Sequence, residues 1–313
     1  MQSTPNLLMI RPAAFKANVQ TMESNAFQTA KADLYAADTA EAAALEFDAF
    51  TALLSGEGLN VFTFPDTPDP ETPDSIFPNN WVSFHDDGTV VLYPMMALNR
   101  RLERRRDILE SLEEKGFYID RVLDLSFYEK GDKYLEGTGS MVLDRTNRIA
   151  YACLSLRTNE EVLDAFCQEM DYSKVVFQAV DASSRAIYHT NVLMCVGSRF
   201  VTVCLDALPS AREKQVVISS IKNSGKILLP ISLDQMAHFA GNMLEVRPAG
   251  MHETIVMSSA AYNALGPLEG RLSTLCPIIH APLDTIERNG GGSARCMIAE
   301  VHLPQEPKIY SSF

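Results

Sequence analysis

Four times along this chain, a pair of apolar runs split by a short turn is followed by a helical pattern and then by a third apolar run. "WVSF" and "VVLY" flank "HDDG", "SMVLD" and "RIAYACL" flank "RTN", "VLMCV" and "FVTVCL" flank "GSR", and "MLEV" and "ETIVMS" flank "RPAGMH". β-rich segments joined by turn residues read as hairpins. The helical patterns that follow span Asn99–Lys115, Thr158–Met170, Pro209–Asn223 and Ser259–Leu265. After each comes one more strand: "FYIDRVLDL", "KVVFQAV", "KILLPI" and "TLCPII". A fixed period of this kind means that one supersecondary unit recurs and buries its apolar face against its neighbours. A fifth unit forms if the C-terminal run "CMIAEVHL" joins the N-terminal "LLMI", with a helix at Asp38–Leu54 and the strand "LNVFTF". The expected fold is therefore α/β, with five ββαβ repeats in a ring and a single domain over 1–313. The N-terminal strand closes the ring in the C-terminal blade, which removes most exposed sheet edges.

At or just before the first strand of each unit stand Asn80, Glu136, His189, Asn242 and Cys296, at intervals of 56, 53, 53 and 54 residues. In a ring these side chains fall at equivalent places near the centre. A thiol, an imidazole and a carboxylate then converge, the makings of a nucleophile, a base and an orienting group. Cys296 follows the run "GGGSAR", and glycine allows backbone conformations and close approaches that other residues do not. Its bland alternative is a buried apolar residue opening a strand. The other five histidines, His85, His238, His252, His280 and His302, have no comparable neighbours and read as structural. Trp81 and Phe84 read as packing. The acidic, proline-rich stretch Pro65–Pro78 must run as a loop and leads into Asn80, so it is a candidate entrance or lid.

At these residues the sequence resembles the guanidine-modifying superfamily, also called pentein or amidinotransferase, over nearly its whole length. That superfamily includes arginine deiminase, dimethylarginine hydrolase, succinylarginine dihydrolase and glycine amidinotransferase. The resemblance implies a five-bladed α/β propeller. "LEGTGS" looks like the family's acidic "EGGD" segment, which places Glu136 on the catalytic acid. "YHTNVLM" is similar to the histidine strand, with His189 on the catalytic base, and "GGGSARCM" resembles the loop ending in the nucleophile, Cys296. "LRTN" is similar to a segment whose arginine holds a substrate carboxylate in some members, which falls on Arg157; a surface pair with Glu160 or Glu161 is the alternative.

Two departures from arginine deiminase are informative. Where that enzyme has aspartate in a run like "FTRDP", this chain has "FPNNW" with Asn80; where it has "HLD", this chain has "HTN" with Asn191. A buried guanidinium needs compensating negative charge, and an asparagine carries none but both donates and accepts. The pattern points from arginine toward a neutral ureido group, and among the relatives toward the bacterial citrulline hydrolases. Succinylarginine dihydrolase also carries asparagine in its first blade. The substrate-binding set is then Asn80, Asn191, Arg157, Asn242, Gly291 and Gly292. For Asn242 the structural role, closing backbone hydrogen bonds at the blade start, is the favoured reading.

The expected reaction is cysteine-dependent hydrolysis of citrulline to ornithine, carbon dioxide and ammonia through a carbamoyl thioester, with no metal and no organic cofactor. Deimination or dihydrolysis of arginine, or amidino transfer, is the alternative; a catalytically dead binding ring is a third. With 27 basic and 40 acidic residues the net charge is −13, which argues against nucleic acid or an anionic membrane as partner. The one dense basic run, Asn99–Arg106, reads as a solvated helix face. Six cysteines without a CxxC pair suit a reduced cytoplasm. The expected partner is a small amino-acid substrate, and the sequence is compatible with a homo-oligomer.

Overall fold

The computed structural model describes residues 1–25, 27–28 and 36–305. Within them lie five three-stranded sheets of one design. In the second sheet, Val82–Phe84 pairs antiparallel with Thr89–Leu92, and Arg121–Asp124 lies parallel to Thr89–Leu92 on its other side. The third sheet repeats this with Met141–Asp144, Ile149–Cys153 and Ser173–Phe177. The fourth uses Met194–Val196, Phe200–Val203 and Ile227–Pro230, and the fifth Leu244–Val246, Thr254–Ser258 and Ile278–Ala281. The parallel pair requires a crossover, which a helix supplies each time. These helices are Arg106–Glu114, Glu160–Met170, Ala211–Asn223 and, in the fifth unit, two short helices, Ser259–Ala264 and Pro267–Ser273. Local chemistry sets their starts. The Asn159 side chain accepts from the amides of Glu161 and Val162, and Ser210 accepts from Glu213, satisfying amide groups that a first helical turn leaves bare.

The first sheet is built from both ends of the chain, as the repeat requires. Asn6–Arg11 runs parallel to Asn60–Pro65 across the helix Ala36–Gly56, and Leu7 and Leu8 pair antiparallel with Glu300 and Ala299. Each sheet touches the next. Ala299–Glu300 lies against Val82–Phe84, Gly137–Ser140 against Pro78–Asn80, Met141–Asp144 against Met194–Val196, and Met194–Val196 against Leu244–Val246. Leu244, Val246 and Val256 of the fifth sheet share one apolar cluster with Leu7 and Met9 of the first. The first two strands of the sheets are almost wholly buried, whereas the third is half-exposed, as in Arg121–Asp124. The inner strands therefore form the core and converge on one region. Trp81 and Phe84 lie in that core.

The basic run departs from expectation. Instead of one solvated helix over Asn99–Lys115, a 3-10 turn spans Asn99–Glu103, and Arg104 and Arg105 are extended before the helix Arg106–Glu114 begins. Arg100 is only 2% exposed. Three carboxylates reach it: Glu103 at 2.9 Å, and Asp74 and Glu136 at 3.7 Å each. Burial works against the charged guanidinium, and Glu103, Asp74 and Glu136 keep it protonated.

Candidate active site

A tight turn precedes each first strand. Asn80 ends the 3-10 turn Pro78–Asn80, Glu136 and His189 stand just ahead of the short helical turns Gly137–Ser140 and Thr190–Val192, and Cys296 closes a turn on Ser293. The five positions are not equivalent. Asn80 and Asn242 lie two residues before the first strand of their sheets, Cys296 three before, and Glu136 and His189 five before. In the third and fourth units the places nearest the strand belong instead to Gly139, two before Met141, and Asn191, three before Met194. The Glu136 carboxylate and the His189 imidazole reach in from the far side of a longer turn.

Glu136 is fully buried and gathers four groups. Its Oε2 lies 2.9 Å from His189 Nε2, 3.5 Å from Arg157 Nη1 and 3.7 Å from Arg100 Nη1, while Oε1 accepts from the Met96 amide at 3.1 Å. Burial alone would raise its pKa, but Arg157, His189 and Arg100 together hold the carboxyl far below the usual range. It is therefore an acceptor only. Burial is also the largest influence on His189 and lowers its pKa to about 4, against the pull of Glu136. At neutral pH the imidazole is uncharged, and its one proton sits on Nε2, donated to Glu136. The bare Nδ1 is left toward Gly139. A Cβ there would stand 2.7 Å from that Nδ1 and 2.4 Å from Asn80 Nδ2. Only glycine leaves this gap open.

The thiol has its own pair of amides. Asn242 Nδ2 and Asn191 Nδ2 donate to Cys296 Sγ at 3.2 and 3.4 Å. Asn242 also accepts from the Cys296 amide at 3.4 Å and donates to the Asn191 carbonyl at 2.9 Å, so it serves the thiol and the backbone together. Burial raises the Cys296 pKa, and the Ser293 amide, Asn242, Arg295 and Asn191 offset part of that rise. Among the described residues no hydrogen bond joins His189 to Cys296. Gly291 and Gly292 shape the loop rather than presenting a side chain. Gly291 ends the helix Asp284–Gly290 at φ 64, a left-handed conformation that glycine adopts without strain, and its carbonyl accepts from Tyr188 Oη at 2.6 Å. A Cβ on Gly292 would meet the Cys296 Cβ at 3.1 Å.

Arg157 turns inward, not to Glu160 or Glu161. It donates to Ser24 Oγ and the Thr21 carbonyl, and its guanidinium lies 4.9 Å from the Tyr188 ring centroid. The N-terminal segment thus covers the site. Asn18 and Thr21 bond Asp74 Oδ2, and Asn25 bonds the Gly290 carbonyl. Pro65–Pro78 supplies a wall through Asp74 instead of the cover. Asp74, Arg100, Tyr188, Thr21 and Ser24 are site residues that sequence reasoning missed. The one signal in reach was the position of Tyr188 beside His189.

A stability measurement checks the histidine protonation. Burial also lowers the His302 pKa to about 4. A histidine whose pKa falls from about 6.5 to about 4 on folding binds its proton mainly in the unfolded chain at intermediate pH. Its contribution is complete above pH 6.5 and is lost as pH falls toward 4. His189→Gln and His302→Gln are each expected to flatten the fall in thermal midpoint between pH 6.5 and 4 relative to the parent. An unchanged slope in both variants would contradict neutral, buried imidazoles.

Residues 11–303 match the sequence family described as eukaryotic N,N dimethylarginine dimethylhydrolase. The chain belongs to this family. No curated protein gives a significant match. Among solved structures, the dimethylarginine dimethylhydrolase family member is similar to apo ArgZ, an arginine dihydrolase from the ornithine-ammonia cycle in cyanobacteria, with a TM-score of 0.70 and 21% identity. It is also similar to unliganded AgrE, with a TM-score of 0.73 and 19% identity. The matches cover 97% of this chain in both cases, but only 42% of ArgZ and 40% of AgrE. A dimethylarginine dimethylaminohydrolase adduct matches along its full length, with 96% of this chain covered, a TM-score of 0.63 and 15% identity. At such identities the likeness is one of fold, a mixed α/β architecture of dimethylarginine dimethylhydrolase type.

Proposed function

We propose that this chain hydrolyses a C–N bond in the ureido or guanidino end group of an amino acid through a covalent intermediate on Cys296, and that citrulline, cleaved between its side-chain Nδ and the ureido carbon by way of a carbamoyl thioester, is the substrate the site fits best. The observation that carries the substrate choice is the polarity of two amides. Asn80 Oδ1 is occupied by Arg100 at 2.8 Å, so Asn80 turns its NH2 toward the Gly139 gap. Asn191 Oδ1 is buried with no partner among the described residues. One donor and one vacant acceptor complement a ureido group, which presents a carbonyl oxygen and N–H groups. A guanidinium presents only donors.

In this reading Cys296 gives its proton to His189 Nδ1 and attacks the ureido carbon, while Asn80 Nδ2 meets the carbonyl oxygen as it gains charge. His189 returns the proton to the departing nitrogen of ornithine. Water, deprotonated by the same imidazole, then cleaves the carbamoyl thioester and frees the thiol, and the carbamate decays to carbon dioxide and ammonia. Glu136 holds the imidazole in the tautomer this requires. Arg157 exchanges Ser24 and Thr21 for the substrate carboxylate. The Asp74 Oδ1 atom, buried and without a hydrogen-bond partner among the described residues, suits the α-ammonium.

Dihydrolysis of arginine is the second reading. It is favoured by the likeness to ArgZ, an arginine dihydrolase. Product analysis separates the two. Ornithine and ammonia from L-citrulline, with L-arginine inert, are expected; release of ammonia from L-arginine at a comparable rate would favour the second reading, and inertness of both would overturn the proposal.

The same reading takes 1–313 as one domain and the five sheets as blades of a closed propeller, supported by the contact of each sheet with the next and of the fifth with the first. A cytoplasmic setting accords with six free, buried cysteines. Among the described residues no helix is long and apolar enough to cross a membrane.

A further inference from the structure

We infer that Arg100 is a positioning residue that sets the substrate preference of this site by holding the Asn80 carboxamide in one orientation. The inference deepens the functional reading above and rests on it for the identity of the two substrates compared.

A carboxamide rotated by half a turn has the same shape with oxygen and nitrogen exchanged. In one orientation Asn80 offers the Gly139 gap an N–H donor, suited to a ureido oxygen. In the other it offers a carbonyl, suited to a guanidinium N–H. Asparagine at this position therefore leaves the choice open, and its neighbours decide it. Arg100 Nη1 stands 2.8 Å from the Asn80 side chain. A guanidinium has donors only, so the atom facing it is the oxygen. On the opposite side Asn80 Nδ2 donates to Asn79 Oδ1 at 3.1 Å. Asn79 is itself oriented: the Thr138 hydroxyl donates to the Asn79 carbonyl and accepts from Asn79 Nδ2, both at 3.3 Å. A flipped Asn80 would set NH2 against guanidinium and carbonyl against carbonyl, two repulsions in a buried site.

Arg100 is itself immobilised. Its Nε and Nη2 form a two-point pair with Glu103, both at 2.9 Å, and Nη2 also approaches the carbonyls of Asp74 and Phe77 at 3.4 Å. With these donors committed, the Nη1 edge is fixed against Asn80. The run Asn99–Glu103, folded as a 3-10 turn, places Arg100 and Glu103 on one side for this purpose.

The test compares three variants with the parent. Arg100→Met/Glu103→Leu removes both ends of the two-point pair, so Glu103 is not stranded; Asp74 keeps its hydrogen bonds from Asn18 and Thr21, and Glu136 keeps Arg157. Arg100→Gln keeps a polar group that can face Asn80 as donor or acceptor, and stands in if the double variant does not fold. Arg100→Lys is the conservative rescue, since an ammonium is also donor-only. kcat/KM is measured on L-citrulline and L-arginine, and the Asn80 amide is assigned from refined C–O and C–N bond lengths in crystals diffracting to about 1 Å. The Lys variant is expected to retain the parental preference. The Met/Leu and Gln variants are expected to shift the citrulline-to-arginine ratio toward arginine by roughly tenfold, the scale of one buried hydrogen-bonding group left unmatched, with Asn80 found in both orientations. A folded Met/Leu or Gln variant with parental preference and a single amide orientation would overturn the inference. If the parent acts on neither compound, the functional reading fails, while the amide orientations in these crystals still decide the role of Arg100.

Discussion

Glu136→Gln is expected to lose on two readouts at once: turnover falls by roughly 10³- to 10⁴-fold, and unfolding free energy falls by about 3–5 kcal/mol. The stability loss follows from the company the carboxylate keeps. Arg157 and Arg100 are each 2% exposed and lie 3.5 and 3.7 Å from its Oε2. An amide of the same shape cannot neutralise them, and removing one partner of a buried ion cluster leaves charge without compensation. The turnover loss has a separate cause. Glu136 accepts the His189 Nε2 proton at 2.9 Å and so leaves Nδ1 bare. A glutamine can present NH2 to that nitrogen, which favours the other tautomer and blocks Nδ1 as a base; the corresponding change in a serine-protease triad costs about 10⁴-fold. Urea denaturation and steady-state kinetics on the same preparation measure both. Turnover within tenfold of the parent in a folded Glu136→Gln protein would remove Glu136 from the catalytic set.

Cys296→Ser should reduce turnover at least 10⁴-fold, the rough scale for loss of a covalent nucleophile, with a stability change of only about 1 kcal/mol. The side chain changes by a single atom, and Asn191 and Asn242 donate to a hydroxyl as readily as to sulfur. A serine hydroxyl, however, is a far weaker nucleophile than a thiol. Alkylation distinguishes this thiol from the others. Burial pushes the Cys153, Cys195 and Cys276 thiols up to about 12 and Cys167 to about 11, and none of these four accepts from two side-chain amides as Cys296 does. Iodoacetamide followed by peptide mapping should mark Cys296 first, and L-citrulline should slow that labelling. Uniform labelling of all six cysteines, or a serine variant with parental turnover, would end the case for a thioester.

The repeat was readable because each unit must bury its inner strands. Burial forces apolar hairpins, turn residues and crossover helices into a fixed order, and that order survives in a single sequence. Glu136, His189 and Cys296 were readable as candidates because they interrupt this apolar period with titratable groups. Their phase was not. The turn before the strand is longer in the third and fourth units, so the acid and the base stand five residues ahead of it, while Cys296 stands three ahead. Arg100 was misread for a related reason. In "NRRLERRR" nothing local separates the one fully buried arginine from its part-buried and exposed neighbours, since the acids that draw it in come partly from Asp74 and Glu136. The cover over the site was equally hidden, because Thr21 and Ser24 meet Arg157 across 136 and 133 residues of chain.

The sequence by itself determined the order of strands and helices, the joining of the two chain ends in one sheet, and the kinds of reactive side chain available. Only the tertiary structure decided which arginine is inside, which nitrogen of His189 is bare and which way Asn80 faces. Strand and helix patterns are short-range and periodic, so the chain records them locally. Protonation and hydrogen-bond direction are set through space in a dry interior, by partners the chain brings together only when it folds.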